Sequence, residues 1–134
     1  MDTILRHNIV LLLLRVVFGG SMIIGHGWPK LQKLMAGGEI KFMDFMGLGP
    51  EISLALVVFS EGLCSLLLVL GLFTRWATIP LIFTMLVAIL KVNWGAPFVE
   101  WEKGFLFLAA YVCLFIAGAG RYSIDYRLGN PNKL

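Results

Sequence analysis

Four long apolar runs constrain what this chain can fold into more than any other feature of its sequence. They cover residues 8–27, 51–73, 76–92 and 103–120, and each approaches the ~17–25 residues that cross a bilayer as a helix. A chain of 134 residues that is 59% hydrophobic and 14% charged cannot hide this surface in a water-soluble core. No run alternates as a barrel strand does, and a helix satisfies its own backbone hydrogen bonds in lipid. The sequence therefore predicts an all-α integral membrane protein, a four-transmembrane-helix bundle.

The connections between the runs are uneven in length. Only Thr74 and Arg75 separate the second run from the third, which predicts that these two helices are antiparallel neighbours. The first connection, roughly residues 28–50, is long, and its middle alternates apolar with charged residues. We expect it to lie along the lipid headgroups as short amphipathic helices. No repeat or low-complexity tract interrupts the chain, so we expect residues 1–134 to form a single membrane domain.

The charge pattern favours lipid as a partner and decides orientation only weakly. The net charge of +3 comes without a basic block, which argues against nucleic acid and favours anionic lipid headgroups. An even number of spans places both termini on one side of the membrane. Lys and Arg are then split five to five between the two sides, so the positive-inside rule gives a tie. Acidic residues crowd the side opposite the termini, which favours termini in the cytoplasm.

Two charged residues, Arg15 and Glu61, lie inside the first and second apolar runs. A charge at the centre of a transmembrane helix costs about 2.5–3.5 kcal/mol on insertion scales, and it normally faces the bundle interior with a partner. Because the estimated depths of Arg15 and Glu61 differ by only one to two helical turns, we expect them to form an ion pair. Such a pair could be purely structural, or it could be a proton or ligand site.

A polar stripe is predicted for the bundle interior. Arg15, Gly19, Met22 and His26 are spaced by four, three and four residues, so they share one helical face. His26 could accept a proton, contact a ligand or simply lie at the membrane interface. Small residues are expected to allow close helix packing in the first run and in the fourth. They are Ser21 and Gly25 in the first, and Ala109, Cys113 and Ala117 in the fourth.

Polar residues near the far end of the first run could form a cap over the bundle. Lys30 follows His26 on that side, and Asn93 and Glu102 belong to the connection between the third and fourth runs. An ordinary solvated loop explains these three residues equally well.

No metal site is predicted, and no cofactor held by ligands of the chain itself. His7 and His26 are at opposite ends of one helix, roughly 28 Å apart at helical rise, so they cannot share one metal ion. Cys64 and Cys113 have similar estimated depths, so a disulfide or redox pair between them is conceivable. Buried cysteines in membranes are usually packing residues.

Three motifs make the sequence resemble the DoxX family of small four-span bacterial membrane proteins. The first run, "LLLRVVFGGSMIIGHGWPKL", is similar to the family's Arg-plus-Gly segment ending in His-Gly-x-x-Lys-Leu. "FSEGLCSLLLVLGLFTRWA" is similar to its Glu-Gly helix followed by Gly-Leu-x-Thr-Arg, and "GAGRYSID" to its Gly-x-Gly-Arg-Tyr-Ser-Leu-Asp ending. The resemblance carries over to Arg15, His26, Lys30, Glu61, Arg75, Glu102 and residues 120–125. Many members have a histidine near the end of the third span, where this chain has Lys91 and Asn93.

The resemblance implies a bacterial inner-membrane protein with a redox association. The family's namesake is associated with a thiosulfate:quinone oxidoreductase, which makes a quinone the candidate cofactor and other membrane subunits, or further copies of the chain, the candidate partners. Three functions fit these features. The chain could be a small subunit that anchors or supports a membrane redox complex, or a quinone- or small-molecule-handling oxidoreductase subunit that uses Arg15 and Glu61. It could also be a small transporter or channel, which would need to oligomerise.

Overall fold

The computed structural model describes residues 1–129, and within that range the chain is helical without a strand. Its five helices are α1 Thr3–Ala36, α2 Pro50–Leu70, α3 Thr74–Val92, α4 Phe98–Ala117 and the short α5 Ile124–Arg127.

The first four helices pack as a ring. Each contacts the next along the chain, and α4 returns to contact α1. Residues 71–73 join α2 to α3, so these two helices are neighbours as predicted, and both Gly71 and Phe73 adopt positive φ to make the turn. Apolar side chains from all four helices fill the interior, among them Leu11, Leu68, Leu81, Tyr111 and Leu114.

Length and composition support three of the four predicted spans. Helices α1, α2 and α3 are each long and apolar enough to cross a membrane. Helix α4 has 20 residues, but Glu100, Glu102 and Lys103 lie in its first two turns. The membrane character of the chain therefore follows from the first three helices alone.

Helix α1 is longer than predicted, because the Gly-Trp-Pro sequence does not break it. Trp28 keeps helical dihedrals (φ −64°, ψ −50°), and the helix continues through Pro29 to Ala36. The preceding residues, Ile23–Gly27, form a wide π-type turn. Such local adjustments let a membrane helix tolerate the backbone groups that a proline leaves unpaired. The predicted end of the first helix near Gly27 is therefore wrong, and the expected amphipathic helices of the connection reduce to an extension of α1, since residues 37–49 contain no helix.

Close packing between α1 and α2 depends on Gly19 and Gly27, which were not predicted to form this contact. A Cβ at Gly27 would lie 2.7 Å from the carbonyl oxygen of Glu61, and one at Gly19 would lie 3.1 Å from that of Ser65. The small residues predicted for this role, Ser21 and Gly25, are exposed instead. The small-residue stripe of the fourth run is also wrong as an interior feature, because all its members are exposed: Ala109, Cys113 and Ala117.

Gly27→Ala is expected to destabilise the bundle, whereas Gly25→Ala serves as its matched control. The added methyl group at residue 27 meets the backbone of α2, including Gly62 Cα at 2.9 Å, and backbone cannot move aside as a side chain can. Overpacking of this kind costs about 1–3 kcal/mol. Nothing lies within 4 Å of a Cβ at Gly25, so that variant should be neutral or slightly more stable. Equilibrium unfolding in detergent micelles measures both, and equal stabilities would contradict the close contact.

Candidate functional site

Arg15 is buried inside the bundle, with 1% of its surface exposed, and its partners are backbone carbonyl groups. One guanidinium nitrogen donates a hydrogen bond to the carbonyl of Val69 in the last turn of α2, at 3.2 Å. The other terminal nitrogen donates to the carbonyl of Tyr122, in the segment after α4. Arg15 therefore joins α1, α2 and the C-terminal segment.

Asp125 completes this contact from the C-terminal side. It is fully buried, and its carboxylate accepts hydrogen bonds from the backbone amides of Phe73 and Thr74, at 2.8 and 3.0 Å. These are unpaired donors at the start of α3, where a negative charge is stabilised. Arg15 and Asp125 also attract each other electrostatically. We call Arg15, Asp125 and their backbone partners the tail clasp.

A second polar residue near the start of α1 holds the same segment. The Asn8 side chain accepts a hydrogen bond from the Arg121 amide at 2.8 Å and donates one to the Ile4 carbonyl at 2.7 Å. Farther along the segment, Ser123 caps α5 by accepting from the Tyr126 amide at 3.2 Å. The segment after α4 is thus fastened to the end of the bundle where α1 begins.

Glu61 belongs to a different charged centre, and the predicted Arg15–Glu61 pair is wrong. The Glu61 carboxylate lies 2.5 Å from the Nζ atom of Lys30. Lys30 reaches the Glu61 carboxylate because α1 continues beyond Gly27. The sequence had predicted that this helix ends near Gly27. Glu61 is eight residues before Val69, the partner of Arg15, so the two centres are about 12 Å apart along α2.

The two members of this pair differ in their access to the surroundings. The Lys30 side chain is 28% exposed, whereas that of Glu61 is 5% exposed. Lysine can extend its ammonium group toward water or headgroups along an apolar surface, and a carboxylate on a short stem cannot. Glu61 is therefore the fixed charge in the interior, whereas Lys30 can break the ion pair by turning toward the surface.

His26 and Tyr111 lie around the pair. His26 is half-buried, packs its ring edge-on against Phe107 at 6.1 Å, and is within electrostatic range of Glu61, Lys30 and Lys103. Tyr111 is fully buried, close enough to Glu61 to interact electrostatically, and its hydroxyl lies 3.4 Å from the Phe18 carbonyl. We call Lys30, Glu61, His26 and Tyr111 the ion-pair site. The arrangement places two groups able to exchange protons, Lys30 and His26, and one buried hydroxyl, that of Tyr111, around one buried carboxylate.

Wide helical turns position the predicted polar residues. Arg15–Gly19, Ile23–Gly27 and Phe59–Cys64 are all π-type turns, and they contain Arg15, His26 and Glu61 respectively. A π-type turn is rare and often lies at a functional site. The predicted interior face of α1 is confirmed for Arg15, Gly19 and Met22, which are buried, while His26 at its end is half-buried.

The predicted polar cap is only partly assembled. Lys30 reaches into the bundle, but Asn93 lies half-buried in the turn after α3, where its backbone amide donates to the Ala88 carbonyl. Glu102 is exposed on the first turns of α4. Arg75, which the family resemblance also singled out, donates to the carbonyl of Ile116 at 3.4 Å and so joins α3 to the end of α4.

The two cysteines are free thiols in different surroundings. Cys64 is buried and Cys113 is exposed, so the structure does not pair them. Within residues 1–129, no group of three or more His, Cys, Asp or Glu side chains is placed to hold a metal ion.

A groove of about 460 Å³ runs between α1 and α2, next to the α2 turn that carries Glu61. Gly27 and Gly62 form part of its wall, and Ile23, Trp28 and Leu66 line it with apolar surface. Its volume falls in the ~300–1,000 Å³ range of sites that hold small organic ligands. The groove therefore brings apolar space next to the helix turn that carries Glu61.

Sequence reasoning missed Asp125, Tyr111 and Asn8 as interior groups. Asp125 belongs to the motif "GRYSID", in which Ser123 can cap a helix and Asp125 falls in its first turn, a typical helix-start signal. Tyr111 carries no signal of its own, because a tyrosine in an apolar run faces lipid or interior equally well.

Comparison with known proteins supports the family resemblance. The DoxX family model matches residues 10–94, which is well over half of the chain and includes Arg15, His26, Lys30 and Glu61. The match ends before α4 and the C-terminal segment. No curated protein and no solved structure matches the chain. The chain therefore belongs to the DoxX family.

Proposed function

We propose that the chain is a small integral membrane subunit that supports or anchors a membrane-bound, quinone-linked redox complex. The family resemblance supplies the redox association. The observation that carries the proposal is the tail clasp: Arg15 is bonded to α2 and to the C-terminal segment, which Asp125 fixes to α3. A buried charge engaged by carbonyl groups in this way fixes helices relative to one another. A rigid helical framework is what an anchoring subunit must offer.

In this proposal α4 is the fourth span. Its charged residues lie in the first two turns, at headgroup depth, and the apolar part that follows, residues 104–117, extends about 21 Å, a short stretch that a bilayer accommodates by thinning locally. Both termini then share one side, which we assign to the cytoplasm of a bacterial cell with the chain in the inner membrane. The apolar outer faces of the helices would contact lipid, other subunits or further copies of the chain.

The ion-pair site favours a second function, in which the subunit itself handles a quinone or another small molecule. Quinone reduction takes up protons as well as electrons, so a quinone site needs a proton donor inside the membrane. Glu61 would be this proton donor, and the partly exposed Lys30 and His26 would connect it to the surface. This group takes the place of the Arg15–Glu61 pair expected from the sequence. An ionisable residue inside a membrane is a functional candidate by default. The α1–α2 groove would give an apolar ligand its approach from lipid.

Gentle detergent extraction from native membranes, followed by native mass spectrometry and a visible absorption spectrum, tests the first function. A larger assembly with haem or flavin bands from other chains is expected. A lone chain or homo-oligomer without pigment would contradict it and shift the weight to the ion-pair site, or to a transporter if the purified chain alone gives flux in liposomes.

The variants Glu61→Gln and Arg15→Leu separate the two functions. If the chain only supports assembly, Arg15→Leu should reduce the recovered complex, and Glu61→Gln should change turnover only in proportion to assembly. If Glu61 moves protons for a quinone, Glu61→Gln should leave assembly intact and abolish quinone turnover.

A further inference from the structure

A small apolar cavity of about 240 Å³ lies between α2 and α3, away from the ion-pair site. Phe59, Phe83 and Val57 line it, and its polar side chains are Ser53, Ser60 and Thr84, the last two with hydroxyls 2.8 Å apart. The cavity follows α2 from Ser53 to Ser60, a distance of about 10 Å along the helix. It is thus narrow, runs along the helices and begins near the membrane surface at which α2 starts.

The connection between α1 and α2 forms a roof over this cavity. We call residues 42–45 the roof segment, and three of them line the cavity. The Phe45 amide donates to Ser53 Oγ at 2.9 Å, and the Phe45 ring packs edge-on against Phe83 at 5.8 Å. The Asp44 carboxylate accepts a hydrogen bond from the Gly49 amide at 2.8 Å. These bonds hold the roof in place although it has no helix.

Two lysine side chains lie against the aromatic rings of the roof segment. Lys91 Nζ lies 5.1 Å from the centre of the Phe45 ring, and Lys33 Nζ lies 5.8 Å from that of Phe42. Lys33 also donates a hydrogen bond to the carbonyl of Lys41. Two ammonium groups, one from α1 and one from α3, therefore lie against aromatic rings that line the apolar cavity.

We propose that this cavity is a binding site for one anionic phospholipid, with part of an acyl chain under the roof segment and the phosphate at Lys91 and Lys33. Charge decides the choice of ligand: basic pockets between membrane helices bind anionic headgroups, whereas a neutral quinone ring does not require two ammonium groups. Size agrees, because the cavity is smaller than the ~300–1,000 Å³ that encloses a whole small molecule but suits a single chain. Asp44, the one carboxylate of the roof segment, offsets one of the two lysine charges, so these three side chains keep a net charge of +1.

Binding of palmitoyl-oleoyl phosphatidylglycerol to the purified full-length chain tests the site. Native mass spectrometry should show one retained phosphatidylglycerol, and thermal unfolding should occur at a higher temperature with this lipid than with phosphatidylcholine of the same chains. Lys91→Gln should weaken phosphatidylglycerol binding about fivefold, the typical contribution of one lysine near an anionic headgroup. Lys103→Gln, which removes an exposed lysine from the same side on α4, should leave binding unchanged.

A cavity-filling variant tests the acyl-chain half of the site without touching charge. Val57→Phe places a ring inside the cavity and should reduce phosphatidylglycerol retention, whereas Val112→Phe adds the same ring to an exposed position on α4 and should not. Equal effects of the two lysine variants, or of the two phenylalanine variants, would overturn the proposal. Equal binding of phosphatidylcholine, or displacement of the phospholipid by a neutral short-chain quinone, would also overturn it.

Discussion

Replacing Arg15 with leucine is expected to lower the free energy of unfolding by about 3–5 kcal/mol, the typical cost of removing one partner from a buried charged contact. The leucine leaves the Val69 and Tyr122 carbonyls without their donor in the bundle interior. It also removes the positive charge that attracts the buried Asp125 carboxylate. Leucine fits the lipid environment better than arginine, so the loss would come from the broken contacts and not from insertion. Equilibrium unfolding in detergent micelles measures the change.

The matched control for this variant is Arg121→Leu in the same C-terminal segment. The Arg121 side chain is exposed, and the contact of this residue with Asn8 uses its backbone amide, which leucine retains. Its guanidinium lies over the exposed Tyr126 ring at 6.0 Å, a surface contact worth about 0.5–1 kcal/mol, so the control should stay within about 1 kcal/mol of the natural chain. Similar losses for both variants would contradict the tail clasp, because they would show that any charge in this segment matters equally.

The second large effect is an asymmetry between the two members of the ion pair. Lys30→Met leaves the Glu61 carboxylate buried without a partner and should cost about 3 kcal/mol. Glu61→Gln should cost only about 1 kcal/mol, because the amide is neutral and Lys30, with a 28% exposed side chain, can turn toward water. The same unfolding measurement at neutral pH compares the two.

Lys103→Met provides the control for the lysine variant, since Lys103 is an exposed lysine in the second turn of α4, at the same end of the bundle. Its replacement should change the free energy of unfolding by no more than about 0.5 kcal/mol. An equal loss for Lys30→Met and Glu61→Gln would show that both charges are equally trapped. That result would contradict the description of Glu61 as the fixed charge and Lys30 as the group that can leave it.

The helices and the interior face of α1 could be predicted because each depends on composition and periodicity. The long apolar runs gave the positions of α1 to α3, and the spacing of Arg15, Gly19 and Met22 identified the face that is buried. Close helix contacts could not be predicted in the same way. Gly25 and Gly27 have identical side chains, and only the docking of α2 decides that Gly27 is in the contact and Gly25 is outside it.

The partners of the buried charges could not be predicted, for a different reason. Pairing Arg15 with Glu61 assumed that a buried cation needs a carboxylate, whereas a guanidinium group can be satisfied by backbone carbonyls. Carbonyl groups leave no trace in the sequence. The prediction also assumed that Pro29 ends the first helix, which removed Lys30 from consideration as a partner. Once α1 continues through the proline, Lys30 becomes the cation nearest Glu61.

The two charged centres give the bundle two ends with different properties. The tail clasp closes the end of the bundle where α1 begins, and its groups are engaged by backbone atoms of three elements. The ion-pair site near the other end holds a side-chain pair with a partly exposed member and a histidine beside it. The first arrangement favours a fixed framework, and the second leaves room for proton exchange. A subunit of a membrane redox complex can use both.

A double-mutant cycle in detergent micelles, with Lys30→Met, Glu61→Gln and Arg15→Leu as the single variants, tests the assignment of the two centres most directly. Lys30 and Glu61 are in contact, so their coupling energy should be about 1 kcal/mol or more. Val69, the partner of Arg15 on α2, is about 12 Å along that helix from Glu61. The effects of the Arg15 and Glu61 variants should therefore add to within about 0.5 kcal/mol. Strong coupling between Arg15 and Glu61, with none between Lys30 and Glu61, would contradict the separation of the bundle interior into two charged centres.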